Sequence, residues 1–300
     1  MQHETTLRYI DAIARAGSIR GAAEKLAITP SALNRRLLAI EKEMNVPLFE
    51  RLANGVRLNA AGELFISHAR RQLADMERVR SQIEDLKGAR RGHLQIAYDA
   101  SLVTEGHFAA LLSAYQSDHS GVTFSVHPMG AAEITRRLAD YRADLGLVLH
   151  PRAEANVTSL ATHPAPIKAV MRPRHPLAGQ SSVRLDDVLQ FPAVLPAGGS
   201  LRPLLETAAR RGGLALRAAI EGPLAFALPR LRESDTIGFE SDTGPPRLKA
   251  PDGLQRVPVS THDVPVPHVH LVQLRGRTLT VAAGRFAEVI GQHFADGSQS

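Results

Sequence analysis

The 300-residue sequence predicts an all-α head joined to a larger α/β domain, and three observations carry that prediction. Apolar residues recur at three- and four-residue spacings through the first segment, the period of amphipathic helices. From Gly92 onward the period changes, and short apolar runs alternate with helical stretches, as in a parallel sheet with crossover helices. Charge divides at the same place: residues 1–91 hold 16 Lys and Arg against 11 Asp and Glu, while the whole chain holds 36 against 30. The first third is therefore basic, at +5, and the remainder nearly neutral, at +1, which points to a polyanionic partner for the head.

Composition excludes several classes. With 44% hydrophobic and 22% charged residues the chain can fill real cores, so wholesale disorder is excluded. The absence of cysteine excludes disulfide scaffolds, thiol nucleophiles and cysteine-ligated metals. No apolar run approaches the roughly 18–20 residues that span a bilayer. The first residues lack the basic-then-apolar pattern of a signal peptide, so a soluble, cytoplasmic protein without membrane partners is expected. Aromatics at 4%, with no Trp, argue against a base-stacking single-strand binder.

Leu7, Ile10, Ile13 and Ala14 make the apolar face of a first helix, which Gly17 stops. Ser18 is placed to cap a second short helix that buries Ala22, Ala23 and Leu26. Thr29 and Pro30 follow as N-cap and first helical residue, since proline lacks the N–H that would be orphaned there. A third helix runs from Ser31 to about Met44, with Leu33, Leu37, Ile40 and Met44 inward and Ser31, Asn34, Arg35 and Leu38 outward.

This arrangement is a helix-turn-helix, whose last helix enters a major groove with its first turns facing base edges. Asn34 can pair with adenine and Arg35 or Arg36 with guanine, while Thr29 or Ser31 can hold a phosphate; Ser18 completes the set on this side. From the pattern alone, a three-helix bundle with a solvated face is the alternative. Asn54-Gly55, between Leu52 and Val56, predicts a β-hairpin with positive φ at both turn residues. A hairpin at this place is a wing, and it would bring Arg51 and Arg57 to a minor groove or to backbone phosphates.

Residues 60–86 predict a polar helix about 40 Å long. Leu73, Met76, Val79 or Arg80, Ile83 and Leu86 or Lys87 form a coiled-coil-like stripe, suited to pairing with a second copy. Residues 87–92 read as a hinge. Beyond it, strands are expected at 93–98, 122–126, 145–149, 167–171, 193–195, 218–220, 237–239, 254–259 and 268–274. Helices are expected at 108–115, 132–141, 200–211 and 281–294, with a short helix or turn at 183–188. The expected division is a head at 1–59, a linker helix and hinge at 60–91, and a two-lobed domain at 92–300. Lobe I comprises 92–163 and 267–300, and lobe II 164–266.

Residues 22–26 (AAEKL) and 29–33 (TPSAL), Ile40-Glu41, residues 47–51 (PLFER) and Ala61-Gly62 together resemble the winged helix-turn-helix of LysR-type transcriptional regulators. Residues 92–96 (GHLQI), 143–147 (ADLGL) and 175–178 (HPLA) extend the resemblance over nearly the whole chain. It implies a homodimer or homotetramer that binds an interrupted palindrome of double-stranded DNA. It further implies a small-molecule effector held in a domain resembling periplasmic binding proteins, with RNA polymerase as a further partner. Asn34 stands where Ser or Thr is usual, Asn45 where Gly is common, Asn59 for Thr and Ser120 for Pro, and residues 235–246 lack a usual glycine pair.

Ligands of two-lobed α/β domains bind where strand ends meet. Strand ends here nominate Asp99, Ser101, Thr104, Met129, Gly130 and His150 from the first lobe, and Gly199, Ser200, Arg202, Glu221 and Phe239 from the second. Ser101 and Ser200 facing each other would suit an effector carboxylate, with Arg202 as its partner, so an anionic effector is expected. Plain helix capping by the two serines and a surface Arg202 fit the same residues. His262, His268 and His270 lie close together, but no carboxylate except Asp263 stands at ligand spacing, and no metal is expected. No phosphate loop, dinucleotide fingerprint or nucleophile elbow occurs, so neither cofactor nor enzymatic activity is expected. The rival readings are a metabolite-binding protein or enzyme whose head only oligomerises, and a nucleoid-type binder indifferent to sequence.

Overall fold

A computed structural model of the chain describes residues 2–86, 91–102, 107–149, 156–241 and 253–297. These form two compact units, Met1–Ile83 and Glu84–Ser300. The first contains α1 (Gln2–Ala16), α2 (Ile19–Lys25), α3 (Pro30–Glu43), the hairpin β1 (Phe49–Leu52) and β2 (Gly55–Leu58), and most of α4 (Ala60–Leu86).

Leu7, Ile10, Ile13, Ala22, Ala23, Leu33, Leu37 and Ile40 are buried together with Leu48, Phe49, Ile66 and Ala69, so one core joins the three helices, the wing and the base of α4. Both predicted caps form: the Gly21 N–H donates to Ser18 Oγ at 3.0 Å, and the Ala32 N–H to Thr29 Oγ1 at 3.2 Å. Asn45 takes φ 51°, the left-handed conformation that a short amide side chain tolerates. Met44 departs from its expected inward place. It lies one residue past α3 and is half exposed, because the helix has already ended at Glu43.

The wing turn also differs from expectation. Leu52 pairs with Gly55, so the turn residues are Ala53 and Asn54, and Asn54 is not among the positive-φ residues. Gly55 opens β2 at φ 143°, and a Cβ there would lie 2.2 Å from the Gly17 carbonyl oxygen. That carbonyl accepts the Val56 N–H at 2.8 Å. The glycine therefore serves the docking of the wing on the α1–α2 turn rather than the hairpin turn itself.

The second unit holds two five-stranded sheets. The first has the order β4-β3-β5-β12-β6, from β3 (Arg91–Asp99), β4 (Gly121–Met129), β5 (Leu145–Leu149), β6 (Val157–Pro164) and β12 (His268–Leu274). The second has the order β11-β7-β10-β8-β9, from β7 (Ile167–Met171), β8 (Ala193–Leu195), β9 (Ala218–Glu221), β10 (Ile237–Ser241) and β11 (Gln255–Pro258). Helices α5 (His107–Asp118), α6 (Ala131–Ala139) and α10 (Val281–Gly297) belong to the first lobe; α7 (Leu185–Val188), α8 (Leu201–Arg211) and α9 (Leu228–Glu233) belong to the second.

The sheets are mixed, not parallel as the strand–helix alternation predicted. β3 pairs parallel with β4 and β5, but β12 is antiparallel to both β5 and β6. In the second sheet β8 is parallel to β9 and β10, while β7 is antiparallel to β10 and β11. β12 returns from late in the chain to lie between β5 and β6, antiparallel to both, a reversal that strand–helix alternation along the chain does not show. Half of the residues of β6 are exposed, which hid it as a strand in the sequence.

Candidate DNA-binding and effector sites

Helix α3 presents a polar, cationic face away from its core side. Ser31, Arg35 and Arg36 are exposed, and the two arginines make no ion pair among the described residues. Thr29 Oγ1 and Ser31 Oγ lie 3.2 Å apart at the helix start, where unpaired N–H groups favour a phosphate. Asn34 is placed differently from its expected two-point pairing with adenine. Its Oδ1 is buried without a hydrogen-bond partner, so the amide does not offer both its groups to a base edge in this rotamer. Ser18 is half-buried, and its oxygen is engaged in capping α2. On the wing Arg51 is exposed, whereas Arg57 crosses the hairpin to Glu50 at 2.8 Å.

Several positioning contacts were not legible in the sequence. Glu41 of α3 accepts the N–H groups of Leu48 and Phe49 at 2.8 and 3.3 Å, tying the wing to the presented helix. Asn59 accepts the Gly62 N–H through Oδ1 and donates to the Pro47 carbonyl, both at 2.8 Å, so the amide does a capping job and more. Asp11, buried on α1, binds Arg70 of α4 at 2.8 Å and Arg15 at 2.5 Å. Glu4 binds Arg80 at 2.6 Å, and the hydrogen bonds from Arg80 and then Arg8 hold its carboxyl below the usual range. Of these, only the four-residue spacings Glu4–Arg8 and Asp11–Arg15 leave a trace in sequence.

Along α4, Met76, Val79 and Ile83 are each at least two-fifths exposed and belong to no buried core cluster among the described residues, while Leu73 packs on the head core. The expected stripe positions Leu86 and Lys87 carry no described side chain.

In the second unit, Asp99 at the end of β3 meets the start of α8 from the other sheet. Its Oδ1 accepts the Ser101 N–H at 3.0 Å, Ser101 Oγ at 2.5 Å and the Ser200 N–H at 3.1 Å. Its Oδ2 accepts Ser200 Oγ at 2.5 Å, and Ser101 Oγ in turn accepts the Leu201 N–H at 3.1 Å. Asp99 is fully buried. Gly199, at φ 82°, makes the approach possible: a Cβ there would sit 2.3 Å from Ser101 Oγ and 2.5 Å from Asp99 Oδ1.

The two serines do converge on a carboxylate, as their chemistry suggested, but the carboxylate belongs to the chain. Arg202, expected to pair with an effector, is bound at 2.9 Å by both Glu206 and Glu221, which raises its already high pKa. Glu221 is thereby consumed as well. Phe239 is packed in the main core, Met129 lies against the cluster under α6, and Gly130 is the N-cap residue of α6. Thr104 and His150 lie outside the described residues. His270 bonds Ser159 and Thr162 at 3.2 Å each, and no cluster of potential metal ligands occurs among the described residues.

Comparison with known proteins matches both units. Residues 5–63 match the family described as bacterial regulatory helix-turn-helix protein, lysR family, and residues 87–295 match the LysR substrate binding domain. A RuBisCO operon transcriptional regulator from Allochromatium vinosum is 29% identical, over 95% of this chain and 94% of that protein. The transcriptional dual regulator GltC of Bacillus subtilis is 25% identical, over 96% of each chain. Among solved structures, full-length OxyR of Pseudomonas aeruginosa shares the fold with a TM-score of 0.68 at 18% identity, covering 97% of this chain and 94% of that one. CbnR in complex with its target DNA shares it with a TM-score of 0.62 at 19% identity, covering 98% and 99%. With both of its units matched over most of their length, this chain belongs to the LysR family of DNA-binding transcriptional regulators and is not an enzyme.

Proposed function

We propose that α3 reads the major groove of a specific operator through Ser31, Arg35 and Arg36, with Thr29 and Arg51 on phosphates and Arg57 reaching the backbone once released from Glu50. The observation that carries this is the pairing state of the face: Arg35, Arg36 and Arg51 are exposed and make no internal ion pair among the described residues, beside a capped helix start. Ser18 and Asn34 act here as local structure first, and either contacts DNA only after its side chain turns.

Members of the family act as oligomers, and the exposed Met76, Val79 and Ile83 support α4 as the surface through which two copies pair, holding two heads at a fixed separation on an interrupted palindrome. The functional division follows the elements: head 1–59, linker 60–91 and effector domain 92–300. The protein acts in the cytoplasm and bears on RNA polymerase at the promoter. An effector bound between the lobes, at the strand ends around Asp99 and Gly199, would shift one lobe arrangement against another, and only a difference in affinity between the two can move the heads. An anionic effector would have to bind clear of the Ser101–Ser200 slot.

Fluorescence anisotropy tests the first step, with the duplex upstream of the protein's own gene against a scrambled duplex over rising salt. The expected result is an advantage of about a thousandfold for the native duplex, with both affinities falling as salt rises. Equal affinity for every duplex, including fragments selected from the genome, would refute sequence-specific reading.

A further inference from the structure

We propose that Asp99 is a built-in anion that fills the slot at the start of α8, so that the effector of this domain is an uncharged or cationic small molecule rather than an acid bound at that slot. The inference rests on the reading that an effector binds between the lobes, and it deepens that reading by naming a ligand class and the residue that selects it.

The slot has the composition of an oxyanion site. Two backbone N–H groups, of Ser101 and Ser200, and two hydroxyls on the same residues converge on one carboxylate. Behind them the Leu201 N–H is turned onto Ser101 Oγ, and Ser241 Oγ donates to the Ser101 carbonyl at 3.4 Å. The helix behind is 11 residues long, so its dipole adds to the attraction for negative charge. The four donors of Ser101 and Ser200 are all satisfied by Asp99, and among the described residues no cationic side chain is one of its partners.

A second carboxylate or phosphate arriving here would find the donors used and a like charge beside it. Arg202, the nearest guanidinium in sequence, is held on both sides by Glu206 and Glu221 and offers no replacement partner. The contact also joins the two sheets, since Asp99 ends β3 and Ser200 precedes α8. A bond that a bound acid would make between the lobes is thus already made by the chain, and binding free energy from an acid group is not available to change the lobe arrangement.

Acetate is the side chain that Asp99→Gly removes, and this makes a chemical-rescue test on the full-length protein. Thermal unfolding is followed at constant ionic strength, with chloride exchanged for acetate, formate or sulfate. Wild type is expected to show no saturable, anion-specific shift. Asp99→Gly is expected to unfold about 5–10 °C lower and to recover at least about half of that loss, saturably, in acetate or formate. Asp99→Ser, which keeps a hydroxyl in the slot, provides a second vacated site should the glycine variant not fold.

Folded variants that ignore all three anions overturn the proposal. So does wild type if it binds acetate or sulfate saturably and loses that binding in Ser200→Ala, an arm that needs no Asp99 variant. The effector reading is checked apart from this, by screening uncharged, cationic and acidic metabolites for any that shift DNA binding by wild type. A screen without response removes the effector reading and leaves the rescue result standing. An acidic metabolite that acts on wild type overturns the ligand class, and one that also needs Ser200 overturns the slot assignment.

Discussion

The face of the head proposed to meet DNA and the junction of the two lobes are both polar, yet they spend their polar groups in opposite ways. On α3 and the wing, Arg35, Arg36 and Arg51 are exposed without ion pairs among the described residues. At the lobe junction, Asp99, Ser101, Ser200, Arg202 and Glu221 all have partners within the chain. A surface meant for a polyanion keeps its cations available, because an internal pair would have to break before a phosphate could bind. A junction between two sheets cannot leave a carboxylate unpaired, because burial without donors is costly. The sequence shows donors and charges in both places. Only their pairing tells a binding face from a structural lock.

The strongest way to break this contrast is to remove the available cations. Arg35→Ala combined with Arg36→Ala is expected to lower affinity for the native operator by about a hundredfold or more and to flatten the discrimination against scrambled DNA, at unchanged thermal stability. Anisotropy and a melting curve check both halves. Next in size is Gly199→Ala. It meets both the positive φ and the crowding by Ser101 and Asp99, and a loss of about 2–4 kcal/mol is expected by denaturant titration, with the head core unaffected.

Asp11→Ala probes the head from the other direction. It removes the carboxylate that Arg70, only about a tenth exposed, binds at 2.8 Å, and a destabilisation of about 1–3 kcal/mol is expected, read as a shifted denaturant midpoint. Glu50→Gln should change stability by less than about 1 kcal/mol, because the pair it breaks is exposed. By releasing Arg57 it should tighten DNA binding at low salt and steepen the salt dependence by up to about one counterion.

The smallest effect concerns His175 in the second lobe. Its Nδ1 accepts the Leu177 N–H at 3.1 Å, its ring packs on Phe191, and burial lowers its pKa despite the neighbouring Asp235, with Arg172 adding to the lowering. A folded-state pKa below the unfolded value of about 6.5 means that the contribution of the neutral ring is complete above that pH. It is lost as pH falls through the folded value. The denaturant midpoint should therefore drop between pH 7.5 and 5.5, and His175→Asn, which keeps an acceptor, should show a shallower drop.

How much of this was legible depended on range along the chain. Caps at Ser18 and Thr29, the left-handed Asn45 and the core face of α3 are decided within one or two turns, and local sequence specified them. Glu41 reaching Leu48, and Arg70 reaching Asp11, involve residues brought together by packing, and nothing in their spacing announces them. β6 was illegible because an edge strand lying largely in solvent carries no run of apolar residues. The turn at Ala53-Asn54 was misassigned to Asn54-Gly55 because the glycine answers to Gly17, far from it in sequence.

Taken by itself, the amino-acid sequence determined the basic winged head, the long polar helix, the two α/β lobes and the family to which they belong. Each depends on periodicity, local turn chemistry or a dense motif, all of which are written along the chain. The tertiary structure alone decided which strands run antiparallel, that Asn34 turns its oxygen inward, and that Asp99 rather than a ligand fills the slot between Ser101 and Ser200. The last of these joins groups a hundred residues apart, and the other two depend on how elements pack against one another, so none has an expression until the partners are folded into place.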